Sequence, residues 1–404
     1  MVKNVIVVND YAYINGGAGK VAIMSAIALA NAGINVYFFC GKGPVCNELN
    51  ESKVKVVCVE QGEITAGSKI KGFIQGINNK DAEKKLLFLV NSVNPKDTVL
   101  HFHAWSKILS SSIFKVGKKT GVPIVVTGHD YGTVCPNGCF YDFRNEHICT
   151  YKPLGVKCIS CNCDKKGYVF KLFRIIRQII NRTYISGNNL HYVYISDFSK
   201  NIIKQNLFCD AGEHFVLNPI DVDFVKKADV ANNDNFIFVG RVSAEKGIPY
   251  FCEAMSATNQ KGIVIGDGPI LEELKQKYPN VEFVGWKNAS EITGYALHAK
   301  ALIFPSVWYE AAPLTIPEMM GKYELPCIVS DLCAGKDYIV DGLNGFVFKG
   351  GNVESLVEKI NSVITSCVEI QDNIEKTFDR EQYKMKTHAE NLIRTYNQIL
   401  TGEK

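Results

Sequence analysis

Residues 13–22, YINGGAGKVA, follow the apolar run NVIVVND at positions 4–10. The unbroken Val/Ile run reads as a strand buried on both faces, and Gly16, Gly17 and Gly19 read as a turn. The stretch GAGKVAIMSAIALANAG reads as a helix that stops at Gly33. Strand, glycine turn and helix together bring backbone amides and a positive helix end close to a phosphate. The loop alone leaves three candidates: a dinucleotide, a nucleoside triphosphate and a nucleotide sugar. A P-loop fails, because Val21 follows Gly19-Lys20 and Ile14 stands where the first glycine belongs. Gly17-x-Gly19-x-x-Ala22 matches the dinucleotide fingerprint, which also wants a carboxylate at the end of the second strand to hold the ribose. The second strand, NVYFFC, runs instead into Gly41-Lys42-Gly43. An NAD(P)-dependent oxidoreductase is therefore kept only as an alternative.

The same strand–helix alternation continues along nearly all 404 residues. NVIVVND, NVYFFC, VKVVCVE, TVLHFHAW, PIVVTGHD, HYVYISD and HFVLNP give seven strands in the first half. NFIFVGR, GIVIGDG, VEFVGW, ALIFPS, PCIVSD and GFVFKG give six in the second. Continuous apolar strands separated by helical segments imply parallel sheets of α/β type. The polar stretch 221–234 separates the two sets, so an N-terminal domain over 1–219 and a C-terminal domain over 220–375 are expected. A helical tail over 376–404 follows, with packing against the N-terminal domain as one arrangement. Two doubly wound domains bind ligands outside the carboxyl ends of their strands.

Composition narrows the class. Hydrophobic residues make up 47% and charged residues 21%, enough for a large core and against bulk disorder. A net charge of +4 is too small to imply nucleic acid as a partner. No run of about 20 apolar residues is present, so no membrane span is expected. The first residues enter a strand without a signal-peptide pattern, which points to the cytoplasm and to reduced thiols.

The candidate chemistry lies in the second half. NFIFVG ends in Gly240-Arg241, with Lys246-Gly247 close behind, so two cations sit on a loop from a strand into a helix. Such a loop suits a diphosphate, since a helix N-terminus and charge-assisted hydrogen bonds act together. GIVIGDG leads to the turn Gly266-Asp267-Gly268-Pro269. ALIFPS leads to Ser306-Val307-Trp308-Tyr309-Glu310-Ala311-Ala312-Pro313-Leu314, with Glu318 eight residues after Glu310. Pro313 and Pro317 predict a helix start, since proline is tolerated in a first turn. That start places Glu310 just before the helix and Glu318 about two turns inside it.

Taken in order, Gly16-Gly17, Gly240-Arg241-x4-Lys246-Gly247, Gly266-Asp267-Gly268-Pro269 and Glu310-x7-Glu318 resemble the retaining glycosyltransferases of family four, glycosyl transferases group 1. The bacterial surface-polysaccharide type is the nearest likeness, and the resemblance covers almost the whole chain. It implies the GT-B fold, two Rossmann-like domains facing a cleft, and transfer of a sugar from a nucleotide sugar to a saccharide or polyprenyl-linked acceptor. It gives Glu310 to the donor sugar, Glu318 to the ribose, and Arg241 and Lys246 to the diphosphate. Gly16, Gly17, Gly268, Ala312, Pro313 and Leu314 line the donor site, and His129 in TGHD stands beside the transferred sugar. Ser196-Asp197 and Asn218 also match, although the residue after Asn218 is Pro219 where the family has glycine. No metal is expected in the chemistry itself.

Two stretches fall outside that pattern. Cys135, Cys139, Cys149, Cys158, Cys161 and Cys163 crowd an insertion at 135–163. C-x3-C, a single Cys and C-x2-C-x-C have metal-ligand spacings. Cys135, Cys149, Cys158 and Cys161 form the expected structural zinc set, with Cys139 or Cys163 as alternates and an iron–sulfur cluster as the other reading. Next, KKGYVFKLFRIIRQIINRTYI at 165–185 interleaves apolar residues with Lys165, Lys166, Lys171, Arg174, Arg177 and Arg182. A basic amphipathic helix meets an anionic membrane surface, as a peripheral protein at the inner face would, or packs on its own domain with the cations outward. A metal-stapled module binding membrane or nucleic acid is the second alternative to a transferase.

Overall fold

The computed structural model describes residues 1–64 and 69–402. All thirteen expected strands are present. In the first unit they are β1 (Asn4–Tyr11), β2 (Asn35–Lys42), β3 (Lys55–Cys58), β4 (Thr98–Phe102) and β5 (Ile124–Thr127). A two-residue antiparallel pair, β6 (Tyr141–Asp142) and β7 (His147–Ile148), interrupts the series. It is followed by β8 (Leu190–Tyr194) and β9 (Gly212–Phe215). Their order is β3-β2-β1-β4-β5-β8-β9, with every pairing parallel. The last strand sits earlier than its apolar letters indicate: it is GEHF, and Val216–Pro219 run on beyond it.

The order follows from burial. β1 lies between β2 and β4, with Val5 beside both Val36 and Val99. Val5, Val36, Phe38 and Val99 pack with Ala22, Ala26 and Leu29 of the helix Gly17–Asn31. The C-terminal helix Met385–Thr401 closes the same core through Leu392 and Tyr396. Inside that contact Ser25 Oγ and His388 Nε2 share a hydrogen bond of 2.8 Å.

The second unit holds β10 (Asn235–Val239), β11 (Lys261–Ile265), β12 (Val281–Gly285), β13 (Ala301–Phe304), β14 (Cys327–Ser330) and β15 (Phe346–Phe348). Their order is β12-β11-β10-β13-β14-β15, again all parallel. The long helix Val353–Thr377 covers this sheet with Leu356, Ile360, Val363 and Ile370, all in one core with Phe236, Phe238, Phe251 and Ile328.

By contacts the first unit comprises Met1–Cys139, Thr150–Pro219 and Lys384–Lys404, and the second Phe140–Cys149 and Ile220–Tyr383. Two assignments made from sequence change. Residues 376–383, read with the tail, belong to the second unit, and so do Phe140–Cys149 from the middle of the cysteine-rich insertion. Among the described residues no helix is long and apolar enough to cross a membrane.

Candidate active site

In the second unit three loops meet where β10, β11 and β13 end, and glycine is what lets them meet. Gly240 N–H donates to Ile265 O at 3.0 Å, and Val242 N–H to Asp267 O at 2.9 Å. A Cβ on Gly266 would stand 1.8 Å from Gly240 O, and one on Gly268 2.0 Å from Val242 O. Gly247, at φ +73°, would place a Cβ 1.9 Å from Pro305 O. These glycines are required by close backbone approach.

The cations follow directly. Arg241 is exposed and makes no hydrogen bond or ion pair among the described residues. Lys246 closes the short turn Ala244–Lys246, just before the helix Ile248–Thr258. Its ammonium lies 2.5 Å from Glu310 Oε1 and 5.2 Å from the Trp308 ring centre. Ser306 donates to the same Glu310 oxygen at 3.1 Å. Glu310 is thus held by two donors and is mostly buried, its side chain 13% exposed. Two buried polar atoms here lack partners, Ser243 Oγ and Trp308 Nε1. An unmet buried polar group costs about 1–3 kcal/mol, so this pocket is arranged for something that supplies an acceptor and a donor.

The helix after Glu310 starts later than its prolines indicate. It spans Thr315–Tyr323, so Pro317 lies in its first turn and Pro313 precedes it. Glu318 therefore belongs to the first turn, where a carboxylate suits the positive helix end, and not two turns in. Lys322 Nζ reaches Glu318 at 3.1 Å and Asp221 at 2.6 Å. Ala312, Pro313 and Leu314 form the chain entering this helix.

In the first unit the helix Gly17–Asn31 begins inside the glycine run. Gly16, at φ +146°, is its N-cap, while Gly17 and Gly19 lie in the first turn. No side chain caps that end and no acid stands in its first turn, so its amides are open to an anion. Ahead of it, the buried Asp10 accepts backbone N–H groups from Lys107, Ile108 and Leu109 at 2.8–3.0 Å, which fixes the chain after β4. His129 follows β5, and its Nε2 shares a hydrogen bond of 2.8 Å with His103 Nδ1. His101 beside it bonds Thr127 Oγ1 at 2.7 Å and the Tyr396 hydroxyl at 2.6 Å. Burial, then the neighbouring His388, pulls His129 down to about 3; burial likewise takes His103 well below the ordinary histidine range. The pair is neutral at physiological pH and acts as a hydrogen-bonding unit. His103 was missed in the sequence. The visible signal is HFH where β4 ends, since alternation puts His101 and His103 on one side of the extended chain. Ser196 caps the helix Asp197–Asn206 through Ser199 N at 3.0 Å, and the buried Asn218 leaves its Oδ1 without a partner.

Among the described residues no three His, Cys, Asp or Glu gather as a metal requires. Cys149 belongs to the second unit, whereas Cys135, Cys158 and Cys161 belong to the first. A cation already sits among the thiols: Lys171 Nζ is 3.1 Å from Cys163 Sγ and 3.7 Å from Cys158 Sγ. Burial would lower the Lys171 pKa, but Cys163, Cys158 and Cys135 raise it above the ordinary lysine value, so the ammonium persists.

The basic helix is also turned around. It spans Tyr168–Ile185, leaving Lys165 and Lys166 outside it. Lys171 points to the thiols. Arg174 Nε lies 2.5 Å from the fully buried Asp164, Arg177 donates to Ser106 O at 3.1 Å, and Arg182 covers the Phe208 ring. The arginines are occupied within their own unit and make no outward basic face.

Two parallel Rossmann-like sheets and a glycine-rich cationic turn whose Lys246 pairs with Glu310 define a GT-B architecture. Residues 220–378 match the family model of glycosyl transferases group 1 and are a domain of that family. The chain is 31% identical over 153 residues to the lipopolysaccharide 1,6-galactosyltransferase of Salmonella typhimurium, covering 34% of this chain and 42% of that one. It is 25% identical over 189 residues to the Escherichia coli UDP-Gal:alpha-D-GlcNAc-diphosphoundecaprenol alpha-1,3-galactosyltransferase, covering 40% and 48%. The chain thus spans about half the length of these two curated relatives. The sucrose-phosphate synthase of Thermosynechococcus elongatus has the same fold, with a TM-score of 0.72 at 15% identity over 99% of this chain and 100% of that one.

Proposed function

We propose that this chain is a retaining glycosyltransferase that moves a sugar from a nucleotide-sugar donor to a saccharide or lipid-linked acceptor in cell-surface polysaccharide synthesis. The observation that carries the reading is the Lys246–Glu310 pair beside the unpartnered Arg241, on a unit of group 1 type. A diphosphate entering that turn offers Lys246 a stronger partner than Glu310, and Arg241 a first one. Glu310, released, accepts hydrogen bonds from the donor sugar, while Ser243 and Trp308 gain partners. Glu318 takes the ribose hydroxyls.

In the reaction the bond between the anomeric carbon and the phosphate oxygen breaks. A bond from that carbon to the acceptor oxygen forms on the same face, and the acceptor proton passes to the departing phosphate. Arg241, Lys246 and the helix end stabilise the charge that grows on the nucleoside diphosphate. His129, kept neutral by burial, serves as a hydrogen-bonding partner for a sugar hydroxyl, not as a cation. The relatives' names support the remaining choices: one uses UDP-Gal and a diphosphoundecaprenol acceptor, the other builds lipopolysaccharide. A lipid-linked acceptor would bring the enzyme to a membrane as a peripheral protein.

A panel of UDP- and GDP-sugars, offered with a polyprenyl-diphosphate saccharide, tests this. One donor should release its nucleoside diphosphate and give a product with the donor's anomeric configuration by NMR. An inverted linkage would overturn the retaining assignment, and turnover of no nucleotide sugar would overturn the function.

A further inference from the structure

The helix Tyr168–Ile185 buries the wrong residues for a chain surrounded only by water. Its buried positions are Lys171, Ile175, Gln178, Asn181 and Ile185, three of them polar. Val169, Leu172, Ile176 and Ile179 recur at spacings of three and four, so they share the other face. They are 80%, 40%, 44% and 50% exposed. The inward polar groups explain the orientation: Lys171 is held by the thiols, and Gln178 donates to Thr133 O at 2.6 Å. The apolar stripe is left outside as a consequence.

Neighbouring elements extend the stripe. The short helix Val156–Ser160 offers Val156, 85% exposed, and is tied to Tyr168 by a hydrogen bond of 3.0 Å to Ile159 O. Phe73 of the helix Lys69–Ile77 meets Phe173 with ring centres 5.0 Å apart, and Ile74 next to it is exposed. Contiguous exposed apolar surface of this kind marks an interaction site.

Charge selects the partner. Residues 150–185 contain eight Lys and Arg and one carboxylate, Asp164. Asp164 is buried against Arg174. The segment therefore presents no carboxylate to solvent, while Lys152, Lys157, Lys165 and Lys166 are all exposed. With a net charge of +4 for the whole chain, the remainder is net negative. An apolar stripe rimmed by exposed lysines complements an anionic bilayer: the apolar side chains enter the acyl boundary and the ammonium groups meet lipid phosphates. A second copy of the chain would oppose lysine to lysine across the same face.

We infer that the face formed by Val156, Val169, Leu172, Ile176 and Ile179 docks on an anionic lipid bilayer. The inference rests on the proposed function only for the reason a bilayer is approached, which is a lipid-linked acceptor. The apolar residues insert, in place of the arginines that composition alone would choose.

The test is co-sedimentation of the full chain with vesicles of phosphatidylcholine containing phosphatidylglycerol. The parent should bind. Val156→Glu with Val169→Glu, at the two most exposed positions of the face, should bind about tenfold more weakly or worse with an unchanged melting temperature. Lys165→Gln with Lys166→Gln should lose less, and that loss should vanish at high salt. Arg174→Gln should leave binding unchanged once its stability cost is allowed for by circular dichroism. Equal sedimentation of parent and double Glu variant, or no binding by the parent, overturns the inference. So does a parent dimer in sedimentation velocity that the Glu variant breaks without any vesicle binding. Donor hydrolysis without vesicles is read in the same preparations. Its absence in the parent speaks against the transferase reading and leaves the vesicle result to stand by itself.

Discussion

The loops ending β10, β11 and β13 and the helix Tyr168–Ile185 were equally conspicuous as sequence, yet only the loops do in space what their letters indicate. The loops are written in glycines whose backbones touch. Gly247 against Pro305 O and Gly268 against Val242 O leave one arrangement, and Arg241, Lys246 and Glu310 follow from it. The helix is written in alternating charge and hydrocarbon, which fixes a period but not which face goes in. That choice was made by Cys158, Cys163, Asp164 and Thr133, groups outside the helix. Motifs set by backbone contact carry their geometry with them, whereas motifs set by amphipathicity take their orientation from whatever they pack on.

The largest expected effect lies on the loop side. Glu310→Gln keeps the size and removes the charge that holds Lys246. Turnover of the donor identified in the panel should fall about 10²-fold or more, with a fold unchanged by circular dichroism. Turnover within a factor of two of the parent would separate Glu310 from the chemistry.

Gly247→Ala is the next break. It demands φ near +73° of an alanine and drives a Cβ into Pro305 O, so a loss of about 2–4 kcal/mol is expected in urea unfolding. A loss below about 0.5 kcal/mol would mean the loops are not in backbone contact.

A pH-dependent effect belongs to the first unit. His101, His129 and His388 are lowered to about 3, 3 and 4 by burial, so the native state stays unprotonated where the unfolded chain takes up protons. Their contribution is fully present above the ordinary histidine pKa and is lost as pH falls below it. Each costs up to about 1.4 kcal/mol per pH unit on that limb. Unfolding midpoints should drop steadily from about pH 6.5 towards pH 4. His388→Asn should flatten the slope, and an unchanged slope would place these rings in contact with water.

Particular residues show how far the sequence could be read. Unbroken Val, Ile and Phe runs place strands such as β1, β10 and β13, because a strand buried on both faces has few polar letters to hide it. Where polar letters take part, as in GEHF of β9, the strand was placed late. Glu318 was set too deep in its helix because Pro313 and Pro317 both permit a first turn, and only the observed start at Thr315 separates them. The cysteines have metal spacings, but spacing says nothing of Lys171, which arrives from another helix. His103 needed β5 beside β4 before its bond to His129 could exist.

The central claim is that the turn from Gly240 to Gly247 holds a nucleoside diphosphate. Isothermal titration of UDP and GDP into the parent, Arg241→Ala and Lys246→Ala measures it directly. One nucleotide should bind the parent, and each variant should bind it about tenfold more weakly or worse, as expected for a lost charge-assisted contact. Equal affinity in all three proteins, or no binding of either nucleotide to the parent, would contradict the account.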